Sequence, residues 1–223
     1  MAWGDLALYG ALALGALYGI AFCYGTKGLA GFLVKTGSTA LLALYAWFEG
    51  GPILLVAALA LSALGDGFLA TDEEQKWLLP GMAAFFLAHA CYVVLFWNEG
   101  VHTGWDWPVK LAQAVLVFGG AAFVHWLAPS IEPKMRLPVI LYAGVILMMG
   151  AAAFTMPLLV LVGALMFIAS DAILSLQLFR KPAGEPASVL SSLAVWFLYF
   201  GGQALIAWGV LNGNVELAVV PAS

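Results

Sequence analysis

Long runs of apolar residues, separated by short polar breaks, make up almost the whole chain. Each run has roughly the 20 residues that an α-helix needs to cross the hydrocarbon core of a bilayer. Transmembrane strands would instead alternate over about ten residues, whereas these runs are continuous and rich in Leu and Ala. The pattern predicts an all-α polytopic membrane protein with eight transmembrane helices in one bundle, at roughly residues 3–23, 30–48, 52–71, 80–97, 107–127, 137–154, 157–179 and 189–210.

The breaks contain residues that favour turns or the membrane interface. Proline at a first helical turn costs little, because its missing N–H would have no intrahelical acceptor there. Every connection is short, so residues 1–223 are predicted to form a single transmembrane domain. The breaks are expected at Gly50-Gly51-Pro52, residues 72–76, Pro80, residues 98–100, Pro108, Pro129, Pro133, Pro138, Pro157 and residues 181–184.

Composition supports a lipid environment and excludes several classes of partner. The chain is 64% hydrophobic and 9% charged, against about 45–50% and 25% in soluble domains. The net charge of −4 is dispersed, with no basic block, which argues against a nucleic-acid partner. Cys23 and Cys91 lie inside apolar runs and form no metal or redox motif.

Basic residues indicate how the chain is oriented in the membrane. The N-terminal run lacks the basic region of a signal peptide and has Asp5 instead, so it is interpreted as a retained first span. One side of the predicted bundle has only Lys110, and the positive-inside rule makes the other side cytoplasmic. We expect a bacterial inner-membrane protein with both termini outside the cytoplasm. The basic residues on the cytoplasmic side are Lys27, Lys76, Lys134, Arg136, Arg180 and Lys181.

Two acidic residues lie inside predicted spans rather than in breaks. Asp66 and Asp171 would each cost about 2.5–3.5 kcal/mol at the bilayer centre, so such residues face the bundle interior and mark functional sites by default. Helical rise places them about 8 Å and 12 Å from the cytoplasmic ends of the third and seventh spans. They are 105 residues apart, and this spacing suggests a parallel duplication of four helices plus four helices.

Other polar side chains occur at compatible depths. Lys35 enters the second span about 8 Å from the cytoplasmic face, where it either contributes to a site or extends to the interface. His89 lies about 14 Å deep, with Tyr92 on the same helical face. Ser62 and Ser175 each lie four residues from one of the two acids, on the same face.

A polar stripe on the last span has two interpretations. Ser192, Trp196, Tyr199 and Gln203 recur at spacings of 4, 3 and 4 residues, and so share one helical face. The stripe serves either helix–helix packing or ligand contact.

The order and spacing of these residues resemble the YhhN-like lysoplasmalogenase family of eight-helix membrane proteins. A Pro commonly follows the second-span Lys in that family, and Thr36 stands there in this chain. The resemblance covers nearly the whole sequence and is carried by Lys35, Ser62 to Asp66, Phe86 to Tyr92, Gly163 to Asp171, Tyr199 and Gln203.

The resemblance implies hydrolysis of the vinyl ether bond of lysoplasmalogens, with a lysophospholipid entering from the bilayer and with no metal or cofactor. Protonation of the vinyl carbon gives an oxocarbenium-like ion, as in two-carboxylate glycosidases. One protonated carboxyl and one carboxylate suit this reaction. By resemblance, Asp66 and Asp171 are catalytic. The residues that bind substrate or support the acids are Lys35, Ser62, His89, Tyr92, Ser170, Tyr199 and Gln203.

Two other functions use intramembrane acids. An intramembrane aspartyl protease also pairs aspartates, but its glycine–aspartate motif has a glycine where Ala63 stands, and that motif comes second in the chain rather than first. A proton-coupled transporter or lipid-binding protein could use the same acids as a relay. Glycine- or proline-interrupted helices at matching positions would favour a transporter.

Reporter fusions test the orientation. A fusion after Ser223 is expected outside the cytoplasm and one truncated after Lys181 inside it, because six basic residues face one side and one faces the other. Alkaline phosphatase and green fluorescent protein activities measure this. Identical sides for the two fusions would contradict the predicted topology.

Overall fold

Eight α-helices, with no strand, make up the part of the chain that the computed structural model describes, which is residues 2–25, 28–71, 74–100, 107–181, 185 and 187–217. The predicted all-α bundle is confirmed. The short 3-10 helix Ala128–Ser130 precedes α6. The α-helices are α1 (Trp3–Ala21), α2 (Leu29–Phe48), α3 (Ile53–Leu69), α4 (Glu74–Glu99), α5 (Trp107–Leu127), α6 (Pro133–Ala153), α7 (Leu158–Phe179) and α8 (Val189–Leu217).

Seven of these helices are long and apolar enough to cross a membrane. The exception is α3, whose 17 residues rise about 26 Å against a hydrocarbon core of about 30 Å. In a bilayer the backbone polar groups must be satisfied internally, which the α-helix achieves within each segment. The chain is therefore an integral, multi-pass membrane protein.

Two of the breaks predicted at prolines are wrong. Pro80 lies inside α4 and Pro138 inside α6, so both helices begin several residues earlier than expected. Each proline removes one hydrogen bond close to the helix start, where Lys76 and Lys134 are exposed and water can satisfy the freed carbonyl. The predicted break at residues 72–76 is partly wrong, because residues 74–76 lie inside α4. Residues 72–73, residues 182–184 of the predicted break at 181–184, and Lys27 lie outside the described residues.

The helices pack as a ring with one helix outside it. Helices α1, α2, α3, α4, α6, α7 and α8 contact one another in that order, and α8 closes the ring against α2 and α1. Helix α5 packs mainly on α6 and buries only Leu127. In a 4+4 duplication α2 corresponds to α6 and α4 to α8. The contacts of α2 with α8 and of α6 with α4 are then equivalent, so the packing is compatible with the duplication, which stays a prediction.

A glycine turn holds α2 and α3 antiparallel. Gly50 adopts φ +68°, a left-handed conformation that favours glycine. The N–H of Gly51 donates to the Ala46 carbonyl at 2.8 Å and that of Gly50 to the Trp47 carbonyl at 3.1 Å. These two bonds form a Schellman motif, which ends α2 and returns the chain into α3.

Paired glycines bring α7 and α8 into backbone contact. A Cβ atom on Gly202 would lie 2.7 Å from the Gly163 carbonyl oxygen, and a Cβ on Gly163 would lie 2.6 Å from the Gly202 carbonyl oxygen. Helices in lipid associate through such small residues, since lipid supplies no hydrophobic driving force between them. This contact sets the position of α8, which carries Tyr199 and Gln203.

Gly202→Ala is expected to destabilise the protein, because the methyl group would overlap backbone that cannot move aside. Overpacking of this kind costs about 1–3 kcal/mol. Thermal unfolding of the detergent-solubilised protein measures the loss. Gly119→Ala in α5 is the control, since a Cβ there has nothing within 4 Å. Equal melting temperatures for the two variants would contradict the close contact.

Candidate functional site

Asp66 is the most enclosed acid that the structure describes, and its side chain is 1% exposed. Thr39 of α2 and Tyr199 of α8 donate their hydroxyl hydrogens to Asp66 Oδ2 at 2.7 and 2.6 Å. Lys35 Nζ lies 3.4 Å from Asp66 Oδ1. Lys35 and Thr39 are four residues apart and share a face of α2. Two helices, α2 and α8, thus supply the donors and the cation around a carboxylate carried by α3.

A second polar layer lies one helical turn away from Asp66. Gln203 Nε2 donates to Ser62 Oγ at 2.8 Å, and the Tyr92 hydroxyl donates to Gln203 Oε1 at 2.5 Å. All three side chains are fully buried. The layer joins α3, α8 and α4 and satisfies polar groups that would be costly in lipid. Ser62, Tyr92 and Gln203 therefore support the packing around Asp66.

Asp171 has different and sparser surroundings. The Tyr142 hydroxyl of α6 donates to Asp171 Oδ2, and Asp171 is half-buried. Its Oδ1 atom has no hydrogen-bond partner among the described residues. The neighbouring Ser170 points elsewhere and donates to the Val195 carbonyl at 2.9 Å, which ties α7 to α8.

Aromatic rings connect the two acids, which share no hydrogen bond in the described structure. The Tyr199 ring packs against Phe167 at 5.2 Å between centroids, and Phe167 packs against His89 at 4.6 Å. His89 in turn packs edge-on against Tyr142 at 5.5 Å, and Tyr142 bonds Asp171. The two carboxyls are therefore separate groups facing one aromatic region, which we call the aromatic bridge: Tyr199, Phe167, His89 and Tyr142.

The structure brings most of the sequence-predicted residues together around Asp66 or in the aromatic bridge. The hydroxyls on the same faces as the acids do not bond them, because Ser62 accepts from Gln203 and Ser175 donates to the Ala172 carbonyl at 2.7 Å. The α8 stripe contributes to helix–helix packing, one of its two predicted purposes, while ligand contact stays a prediction. Trp196 donates to the Gly15 carbonyl of α1 at 2.8 Å, while Tyr199 reaches an acid.

Thr39 and Tyr142 were missed by the sequence reasoning. The sequence could have indicated Thr39, since it follows Lys35 by four residues and so shares its helical face. Nothing in the sequence indicates Tyr142, because it is on a different helix from Asp171 and only the packing of α6 on α7 brings them together.

Lys35 turns into the bundle rather than toward the interface. Its side chain is 15% exposed and it pairs with the buried Asp66. Thr36 follows it, and its hydroxyl oxygen is a buried polar atom without a hydrogen-bond partner, as is His89 Nε2, in the part of the chain that the structure describes.

The described residues contain no cluster of three or more His, Cys, Asp or Glu that could hold a metal ion. The arrangement instead offers one carboxylate surrounded by donors and one carboxyl with a free oxygen. Such a pair suits proton transfer and charge stabilisation.

The chain is similar to known proteins over most of its length. A sequence model described as the YhhN family matches residues 30–210. The human protein named lysoplasmalogenase TMEM86B is 28% identical over 170 residues, which cover 73% of this chain and 65% of the relative. A Mycobacterium bovis protein named lysoplasmalogenase is 27% identical over 164 residues, covering 72% and 61%. The chain thus spans less than two thirds of these relatives. No solved structure matches significantly.

Lys35→Met is expected to destabilise the protein, because it leaves Asp66 buried without its cation. Breaking a buried pair in this way costs about 3–5 kcal/mol. Adding Asp66→Asn should recover much of the loss, since the uncompensated charge is then removed. Thermal unfolding in detergent of the single and double variants measures the coupling.

Lys134→Met provides the matched control for this comparison. Lys134 pairs with Glu132 at 2.9 Å, but both side chains are well exposed, at 78% and 67%. An exposed pair of this kind contributes about 0–1 kcal/mol. A melting temperature of Lys35→Met as high as that of the control would indicate that Lys35 extends to the interface instead.

Proposed function

Because the chain belongs to the YhhN family, we propose that it hydrolyses the vinyl ether bond of lysoplasmalogens. The products are a fatty aldehyde and glycerophosphoethanolamine or glycerophosphocholine. The relatives named lysoplasmalogenase support this activity. The observation that carries the proposal is the unequal surroundings of two acids inside a membrane bundle. A reaction that needs one proton donor and one fixed negative charge fits that inequality.

The reaction begins with proton transfer from a carboxyl to the vinyl carbon that is not bonded to oxygen. The C=C electron pair takes the proton, and the positive charge is shared between the other vinyl carbon and the ether oxygen. Water adds to that carbon and returns a proton to the carboxylate. The hemiacetal hydroxyl then loses its proton and forms the C=O bond of the aldehyde, while the bond to the glycerol oxygen breaks and that oxygen takes up a proton.

Asp66 is proposed as the carboxylate that stabilises the positive charge. Its Oδ2 atom accepts two hydroxyl hydrogen bonds and its Oδ1 atom faces an ammonium group. A carboxylate can only accept hydrogen bonds, and this set of donors on both oxygens matches it. The same donors hold the group rigidly, so little reorganisation is needed when charge develops.

Asp171 is proposed as the proton donor. Only a neutral phenol, that of Tyr142, bonds it, and no cation is paired with it among the described residues. This leaves Oδ1 to hold a proton and deliver it to carbon. Tyr142 fixes the orientation of the carboxyl, since its bond to Oδ2 determines which oxygen faces the reactant.

The lipid is proposed to enter from the bilayer with its headgroup at the basic side. An apolar groove of about 520 Å³ runs between α2 and α3, lined by Ala40, Ala43, Leu44, Trp47, Val56, Ala60 and Ala63. Ala63 of the groove lies one helical turn from Asp66, so an alkenyl chain in the groove is proposed to approach the acid from this end. Lys35, at 15% exposure, is the residue proposed to meet the phosphate.

Asp66→Asn and Asp171→Asn should each lower turnover by at least the 10²–10⁴-fold typical of general acid catalysis. The double variant should be little worse than either single one, because the acids act as a unit. Aldehyde release from a lysoplasmalogen by purified protein measures this. In the wild type, rate-limiting proton transfer to carbon should give a solvent deuterium isotope effect.

Asp5→Asn is the control, since Asp5 is exposed on α1 and, among the described residues, its side chain accepts a hydrogen bond only from the Ala2 backbone N–H, at 3.1 Å. It should retain full activity. Normal turnover by folded Asp66→Asn or Asp171→Asn protein would refute the two-acid mechanism. No aldehyde release by folded wild-type protein would refute the hydrolase function and favour a transporter.

A further inference from the structure

His89 has one ring nitrogen satisfied and the other buried without a partner. Its Nδ1 atom lies 2.6 Å from the Phe85 carbonyl oxygen. Its Nε2 atom is buried and bonds no group in the described part of the chain. An unsatisfied buried polar atom is rare and costly in native proteins. The atom therefore points to a ligand group that would complete it.

The hydrogen bond of His89 Nδ1 determines whether Nε2 is a donor or an acceptor. A carbonyl oxygen only accepts hydrogen bonds, so Nδ1 must carry the hydrogen. In a neutral imidazole, Nε2 is then a bare acceptor. The ring packs edge-on against the Phe167 and Tyr142 rings rather than against a carboxylate, which suits the neutral form. The missing partner is consequently a hydrogen-bond donor.

The position of His89 selects among the donors that a lysoplasmalogen carries. These are the free hydroxyl at glycerol position 2 and, in ethanolamine lipids, the headgroup ammonium. His89 lies near the middle of α4, too deep for a charged headgroup at the interface. Within the aromatic bridge it touches Tyr142, which bonds Asp171, and Phe167, which contacts Tyr199. The glycerol hydroxyl is two carbon atoms from the ether oxygen and so travels with the reacting bond.

We propose that His89 Nε2 accepts a hydrogen bond from the free glycerol hydroxyl of the substrate and thereby selects single-chain over two-chain lipids. This rests on the proposed function. A plasmalogen with an ester at that position has no hydrogen to donate, and binding it would leave the acceptor unsatisfied. His89 is thus a substrate-binding residue that determines specificity, separate from the two acids.

A two-by-two comparison of enzymes and substrates tests the hydrogen bond. The enzymes are wild type and His89→Asn, whose amide can still donate to the Phe85 carbonyl but does not reach the Nε2 position. The substrates are a lysoplasmalogen and its analogue that lacks the glycerol hydroxyl. In wild type, removal of the hydroxyl should lower kcat/KM by about 10- to 100-fold, the range expected when a buried acceptor loses its donor.

The His89→Asn substitution should lower kcat/KM for the lysoplasmalogen by the same factor. It should leave kcat/KM for the analogue at its wild-type value. Equal losses for both substrates would overturn the proposal, because a structural histidine or one that positions the attacking water slows both alike. His89→Gln, whose amide oxygen can reach the Nε2 position, should recover part of the preference. If neither variant folds, equal kcat/KM values for the two substrates on the wild type still overturn it.

Binding of non-hydrolysable lipids separates this proposal from the proposed function. A saturated alkyl ether lysolipid with the glycerol hydroxyl should bind the wild type about 10- to 100-fold more tightly than the same lipid without it. That preference, in a protein that releases no aldehyde, would support the hydrogen bond and refute the hydrolase. Equal binding of the two lipids, in a protein that does release aldehyde, would refute the hydrogen bond and support the hydrolase.

Discussion

The burial of Asp66 constrains the packing of three helices. The Asp66 side chain is 1% exposed, and a carboxylate in a bundle that faces lipid is tolerated only if donors and a cation replace the water it has lost. Those groups come from α2 and α8, which therefore must lie against α3 at one depth. The Schellman turn at Gly50 holds α2 against α3, and the glycine contact between α7 and α8 fixes the position of α8. These two backbone features therefore help to place the donors that the Asp66 side chain needs.

The two acids illustrate how packing differentiates chemically identical groups. Asp66 faces an ammonium and two hydroxyls, whereas Asp171 faces one phenol and is half-buried. Helical register alone places both on inward faces. The difference arises from what the opposing helix carries, Thr39 and Lys35 on α2 but Tyr142 on α6. The proposed reaction, which needs an acid and a fixed charge, would obtain both from aspartate in this way.

The membrane environment allows the helices and the two intramembrane acids to be predicted from the sequence. A span must be about 20 apolar residues long, so each helix is specified by its own segment, and Asp66 and Asp171 stand out because charge is rare there. The starts of α4 and α6 were predicted too late because a proline is common at the first turn of a helix. Pro80 and Pro138 instead lie inside these helices, in the second turn of each. The bond between Tyr142 and Asp171 depends on how two helices are rotated against each other, and no local pattern records that rotation. The orphaned His89 Nε2 is likewise visible only once its neighbours are in place.

The ring closure by α8 has a consequence for biogenesis. Chains are synthesised from the N-terminus, so α3 enters the membrane when α8 has not yet been made and Tyr199 cannot yet reach Asp66. During that interval the nascent hairpin of α2 and α3 must shield its own charge. Lys35 and Thr39 lie on the immediately preceding helix, so the hairpin can be released into lipid as an internally neutralised pair. The same ion pair is thus available to lower the cost of insertion before α8 exists, and Tyr199 of α8 adds a further donor to Asp66 afterwards.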